Sequence, residues 1–146
     1  VTRTFSKAYG LAGLRIGYGV SDPALAGVLN RLRQPFNTSV VAQAAALAAL
    51  DDDAHLARSI ELNRSELARV SAACRQHGLD VIPSVGNFIL VDMGMQAAPL
   101  FEALLRRGVI VRPVGNYGLP QHLRISIGTA SENDRLIEAL GEVLQP

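Results

Sequence analysis

The period of the apolar positions changes several times along the chain, and each change predicts an element. Val1 to Phe5 reads as a strand, Ser6 to Gly13 as a glycine-rich turn, and Arg15 to Val20 as a second strand. Glycines at 17 and 19 in that strand would let another backbone approach closely. Ser21-Asp22-Pro23 then offers a cap residue followed by a first-turn proline. Leu25, Val28, Leu29 and Leu32 fall on one helical face behind it. Gln34-Pro35-Phe36-Asn37 breaks that helix, because the residue before proline avoids helical geometry. Thr38 or Ser39 can cap the next helix, an Ala-rich run from Val41 to Leu50. A long helix from Ala54 to His77 follows, with Leu56, Ile60, Leu67, Val70 and Cys74 as its stripe and Gly78 as its left-handed stop.

The remainder alternates on a shorter beat. Leu79–Ile82 and Asn87–Asp92 read as strands, and Pro99–Arg107 as a helix with Leu100, Phe101, Leu104 and Leu105 turned inward. Val109–Arg112 is a strand expected to stop at Pro113, and Val114–Gln121 is a loop. His122–Ile127 is the last strand, and Ser131-Glu132-Asn133-Asp134 opens the last helix with a capping-box pattern. Leu136, Ile137, Leu140, Val143 and Leu144 form the face that this helix buries. The order predicts an α/β chain whose later part is one small sheet covered by helices. Val1 to about Asn37 belongs with a different sheet, and the seam is expected between Gln34 and Asp53.

Composition narrows the function classes. The 146 residues are 49% hydrophobic but 5% aromatic, so Ala, Leu and Val must fill the interior. Net charge is +1 without a basic run, which argues against nucleic acid and anionic membrane as partners. No apolar run approaches the roughly 20 residues that span a bilayer. The single cysteine, Cys74, lies on a helical stripe and reads as a buried, inert thiol in a reducing, cytoplasmic setting. Asp51-Asp52-Asp53 reads as acidic capping of the next helix, and His55 and His77 as solvated helix ends, so no metal site is expected. Gly17-Tyr18-Gly19 lacks the third glycine and the helix start of a dinucleotide fingerprint.

The chemistry concentrates between Thr4 and Tyr18. Lys7 is the only lysine in the chain. A primary amine condenses with an aldehyde, and a guanidinium does not. Thr4 and Ser6 can donate hydroxyl hydrogen bonds to a phosphate, Arg15 can clamp it, and Gly10 and Gly13 let the backbone turn sharply. An aldehyde-reactive amine beside a phosphate cradle suits pyridoxal 5'-phosphate. The run T-F-S-K-A-Y-G-L-A-G-L-R-I-G-Y closely resembles the cofactor-lysine segment of fold-type I aminotransferases, and most of all the branch that acts on histidinol phosphate. The resemblance implies that Lys7 is the Schiff-base lysine and that Thr4, Ser6 and Arg15 hold the cofactor phosphate.

Other assignments extend it. In the last strand Leu123, Ile125 and Ile127 alternate with His122, Arg124 and Ser126, which puts Arg124 on the polar face. L-R-I-S-I-G-T resembles the segment whose arginine grips the substrate α-carboxylate. R-P-V-G-N-Y resembles the place where Arg112 would help hold a substrate phosphate, and S-x-x-N-F places Asn87 near the carboxylate; a strand-capping Asn87 is the other reading. The implied reaction is transamination of histidinol phosphate with 2-oxoglutarate in histidine biosynthesis, by a homodimer. An aromatic aminotransferase, a threonine-phosphate decarboxylase or a non-catalytic binding module is the alternative. The family's aspartate for the pyridine nitrogen and its ring-stacking aromatic lie upstream of the lysine. The expectation is therefore a C-terminal portion: residues 1–45 the end of a large cofactor-binding domain, residues 46–146 a small α+β domain, inactive by itself.

Overall fold

The computed structural model describes residues 1–144. The chain forms two compact units, Val1–Ile60 and Glu61–Pro146. In the first, β1 (Thr2–Thr4) and β2 (Gly17–Gly19) pair antiparallel, with Thr2 opposite Gly19, Arg3 opposite Tyr18 and Thr4 opposite Gly17. Arg15 is left-handed (φ 52°), so the second strand starts two residues later than its apolar pattern suggests. Phe5 is buried beneath Tyr9 and Tyr18, whose ring centroids lie 5.0 and 6.0 Å away.

Two helices follow. In α1 (Pro23–Leu32), Asp22 accepts a hydrogen bond from Ala24 N, the expected cap with proline in the first turn. In α2 (Val40–Leu50), Ser39 accepts from Ala42 N and is the cap. The apolar face of α1 is not buried in this chain: Leu25, Val28, Leu29 and Leu32 are all exposed. The third helix, α3 (Asp53–Gln76), is capped by Asp52, whose Oδ1 accepts from His55 N at 2.9 Å. Among the described residues no cluster of His, Cys, Asp and Glu could hold a metal ion.

The second unit is built on a four-stranded antiparallel sheet. Its strands are β3 (Asp80–Ile82), β4 (Phe88–Asp92), β5 (Arg112–Val114) and β6 (Leu119–Ser126), in the order β3-β4-β6-β5. Helices α4 (Ala97–Arg106) and α5 (Ala130–Leu144) complete it. Ile89 and Val91 from β4 and Leu123 and Ile125 from β6 share one sheet face. They pack with Val70 and Cys74 of α3, Leu100 and Leu104 of α4, and Leu136 and Leu140 of α5. Burial pushes the Cys74 thiol up to about 11, so it is an inert core group.

Several local expectations need correction. The strand expected over Val109–Arg112 starts only at Arg112, and the expected loop Val114–Gln121 gives up its ends, Val114 to β5 and residues 119–121 to β6. Pro113 does not stop the strand; it lies inside β5, opposite Leu123. β5 is an edge strand, where a residue without an N–H is tolerated. The capping residue of α5 is Thr129, two positions before Ser131: Glu132 reaches back to accept from Thr129 N at 2.8 Å. Leu105 is exposed, because Arg107, Gly108 and Val109 close a Schellman turn against Leu104 and Leu105 and the helix ends there.

Candidate active site

The segment linking β1 to β2 is shaped by its own hydrogen bonds. Thr4 Oγ1 accepts from Ser6 N at 3.0 Å, and Gly10 N donates to Lys7 O at 2.8 Å. Gly10 has φ 71°, a conformation that glycine adopts without strain. Arg15 folds back over the turn, where its Nη1 donates to Ala12 O at 2.8 Å and reaches Ser6 Oγ at 3.4 Å. A side chain other than glycine held at positive φ is a cost that clusters at functional sites.

Lys7 projects from the turn and is exposed. Neither Lys7 nor Arg15 has a carboxylate partner among the described residues. The charge pattern explains this: Arg3, Lys7 and Arg15 precede the first acidic residue, Asp22. Amine, guanidinium and two hydroxyls thus share one turn without an internal counter-charge. The Ser6 hydroxyl accepts from Arg15 and Thr4 Oγ1 accepts from Ser6 N, which leaves both hydroxyl protons to donate. This donor set fits a phosphate beside a carbonyl-reactive amine.

The second unit brings Arg112 and Arg124 together. They are direct cross-strand partners in the β5–β6 pair. Like charges directly opposite on one sheet face repel. Arg112 is exposed and Arg124 half-buried, and the Arg124 Nε is buried without a hydrogen-bond partner. Neither guanidinium makes an ion pair among the described residues, so both keep N–H groups that an anion could accept from. Asn87 lies just before β4 and extends the ladder by one bond, its carbonyl accepting from Ile127 N at 2.9 Å.

Comparison with known proteins decides the family. The description "Aminotransferase class I and II" matches residues 1–140. The chain belongs to the class I and II aminotransferases. Histidinol-phosphate aminotransferase 2 of Pseudomonas fluorescens (strain Pf0-1) is 60% identical over 144 residues, or 99% of this chain. The protein of that name from Methylococcus capsulatus is 56% identical over 146 residues. This aminotransferase chain spans 39% of the length of each of them. Among solved structures, histidinol-phosphate aminotransferase from Sinorhizobium meliloti, in complex with pyridoxal-5'-phosphate, superposes with a TM-score of 0.90. It is 37% identical, and the match covers 98% of this chain and 40% of that one.

Two features of this aminotransferase chain were not legible in its sequence. One is the stacking of Arg124 on Phe88, whose ring centroid lies 4.8 Å from the guanidinium carbon. Phe88 reads as one residue of an apolar strand, and only the strand register shows what it faces. The other is a buried polar knot. Glu66 Oε2 accepts from Asn133 Nδ2 and from Arg69 Nη2, each at 2.7 Å. Asn133 also donates to Gly128 O and accepts from Gly128 N, so the knot ties α3 to the β6–α5 turn. A buried glutamate looks like any polar helix residue until its distant partners are known.

Proposed function

We propose that the polypeptide to which these residues belong is a pyridoxal-phosphate-dependent aminotransferase that converts histidinol phosphate, with 2-oxoglutarate as amino acceptor, in histidine biosynthesis. The observation that carries the reading is the Lys7 turn, in which a lone amine, two hydroxyls and Arg15 share one surface without a carboxylate to neutralise them. The identity to proteins named for this activity supports the substrate. In this reading residues 1–45 end a cofactor-binding domain and residues 46–146 form the small domain. The whole protein works in the cytoplasm as a homodimer. Among the described residues no helix is long and apolar enough to cross a membrane.

Thr4, Ser6 and Arg15 would hold the cofactor phosphate, and Lys7 Nζ is the amine that would hold the cofactor's aldehyde. The bound cofactor supplies an electron sink for the substrate carbon that loses its proton. Lys7 Nζ would serve as the base that takes up the proton from the substrate carbon and holds it for return. Arg124 would clamp the α-carboxylate of 2-oxoglutarate and Arg112 the phosphate of histidinol phosphate, and Asn87 would border the carboxylate. Fixing the substrate in this way can lower the barrier by roughly 7–11 kcal/mol in well-oriented systems.

The test is Lys7→Ala in the full-length protein, followed by borohydride reduction and intact mass. Wild-type protein is expected to gain the mass of one reduced cofactor and the variant none. Covalent retention of the cofactor by the variant would refute the assignment of Lys7.

A further inference from the structure

Arg124 is a half-buried cation without the usual means of holding one in place. Among the described residues its guanidinium has no carboxylate partner; the ion pairs belong to Arg69, Arg107 and His122. Its Nε is buried and makes no hydrogen bond. What meets it is the ring of Phe88, 4.8 Å from Cζ to centroid.

The strand register makes this contact a built one. Phe88 faces Ser126 and Leu90 faces Arg124, so Phe88 and Arg124 are diagonal neighbours on one sheet face. That diagonal is within reach of an aromatic and a long side chain. The backbone of Phe88 is braced from the other side. Ser84 Oγ donates to Phe88 O at 2.7 Å and accepts from Gly86 N, and Asn63 Nδ2 of α3 donates to Gly86 O at 3.0 Å.

A carboxylate in the place of this ring would hold Arg124 equally firmly, but it would occupy the N–H groups and cancel the charge. An aromatic face attracts the cation and leaves its in-plane donors unused. Arg112, directly opposite, adds positive charge to the same edge. We propose that Phe88 is a positioning residue: it fixes the guanidinium of Arg124 by one face so that its in-plane Nη N–H groups stay ready for an incoming anion. The identity of that anion as part of the substrate rests on the proposed function; the geometry of the stack does not.

The experiment uses the full-length holoprotein with Phe88→Leu and Phe88→Met, which remove the ring, and Phe88→Tyr, which keeps it. Inorganic phosphate binding is titrated by calorimetry, KM and kcat for L-glutamate are measured, and unfolding midpoints show which variants fold. Loss of the cation–ring contact is expected to weaken phosphate binding and raise KM by about 3–30-fold, with the loss in KM rather than kcat. Phe88→Tyr is expected to restore both. Wild-type affinity in a folded ringless variant, equal loss in Phe88→Tyr, or no phosphate binding by the wild type would overturn the inference. If the wild-type protein does not transaminate, the proposed function fails, and the phosphate titration alone still decides the role of Phe88.

Discussion

A Cβ placed on Gly17 would lie 2.6 Å from the carbonyl oxygen of Arg3, closer than any real side chain sits. The contact arises because Gly17 pairs with Thr4, at the end of the strand that leads into Lys7. Gly17→Ala must therefore push β1 away and move the Lys7 turn with it. The expected cost is about 1–3 kcal/mol, the usual range for inserted bulk without room to relax. In the full-length protein the variant should lose stability by that amount in a urea titration and retain cofactor less well on dialysis; wild-type behaviour in both would show that the strand pair yields freely. At this scale the sequence was informative where chemistry is rare. A lone lysine directly after two hydroxyls, with an arginine eight residues on, is legible because few other jobs need that set. Gly19 drew the same expectation as Gly17, yet nothing but Val1 and Thr2 comes within 4 Å of its Cβ position, and no nearer than 3.8 Å. Only the pairing distinguishes the two glycines.

The helices and strands were legible where the apolar period was strong and blurred where polar atoms decide. Element order in the second unit follows directly from the pattern, since buried faces such as Leu136–Leu140 repeat at helical spacing. The start of α5 was misplaced by two residues because Thr129 and Ser131 are equally good caps in sequence, and the choice falls to Glu132. The Glu66–Asn133 knot shows what such polar contacts contribute. Hydrogen bonds from Arg69 first, and from Asn133 next, hold the Glu66 carboxyl below its ordinary value of 4.5. A carboxylate with a lowered folded value adds stability that is complete above the unfolded value and is lost as pH falls through the folded one. Glu66→Gln should therefore cost about 1 kcal/mol near neutral pH. The difference between the two proteins should shrink below about pH 4.5, as the wild-type carboxylate takes up its proton. Urea midpoints of both at neutral and acid pH check this; a difference independent of pH would mean that the charge of Glu66 adds nothing to the tie between α3 and α5.

At the scale of the molecule, the two units differ in how much they bury. The second has a continuous interior of aliphatic side chains from three helices and both central strands. Within Val1–Ile60, only Phe5, Ala42 and Ala46 are buried among the described residues. Phe36, Val40 and Leu32 there are 96%, 82% and 76% exposed. A two-stranded sheet is marginal by itself, and exposed apolar faces of this kind mark surfaces that other protein covers. The local sequence could predict the helical stripe of Leu25, Val28, Leu29 and Leu32 but not its partner, because burial depends on residues far along a chain. Amide hydrogen exchange of the 146-residue chain should therefore be uneven. Amides of β1, β2 and α1 should exchange at least about 100-fold faster than those of β4, β6 and α5, since opening free energy follows local burial. In the full-length protein, where the proposed function places the rest of the cofactor domain beside these elements, the same amides should gain protection while those of β4 and β6 change little. Uniform protection in the short chain would show that the first unit is stable by itself. Absence of any gain at full length would mean that the apolar face of α1 is not where the remaining chain packs, and the placing of Lys7 in a larger cofactor domain would lose its structural support.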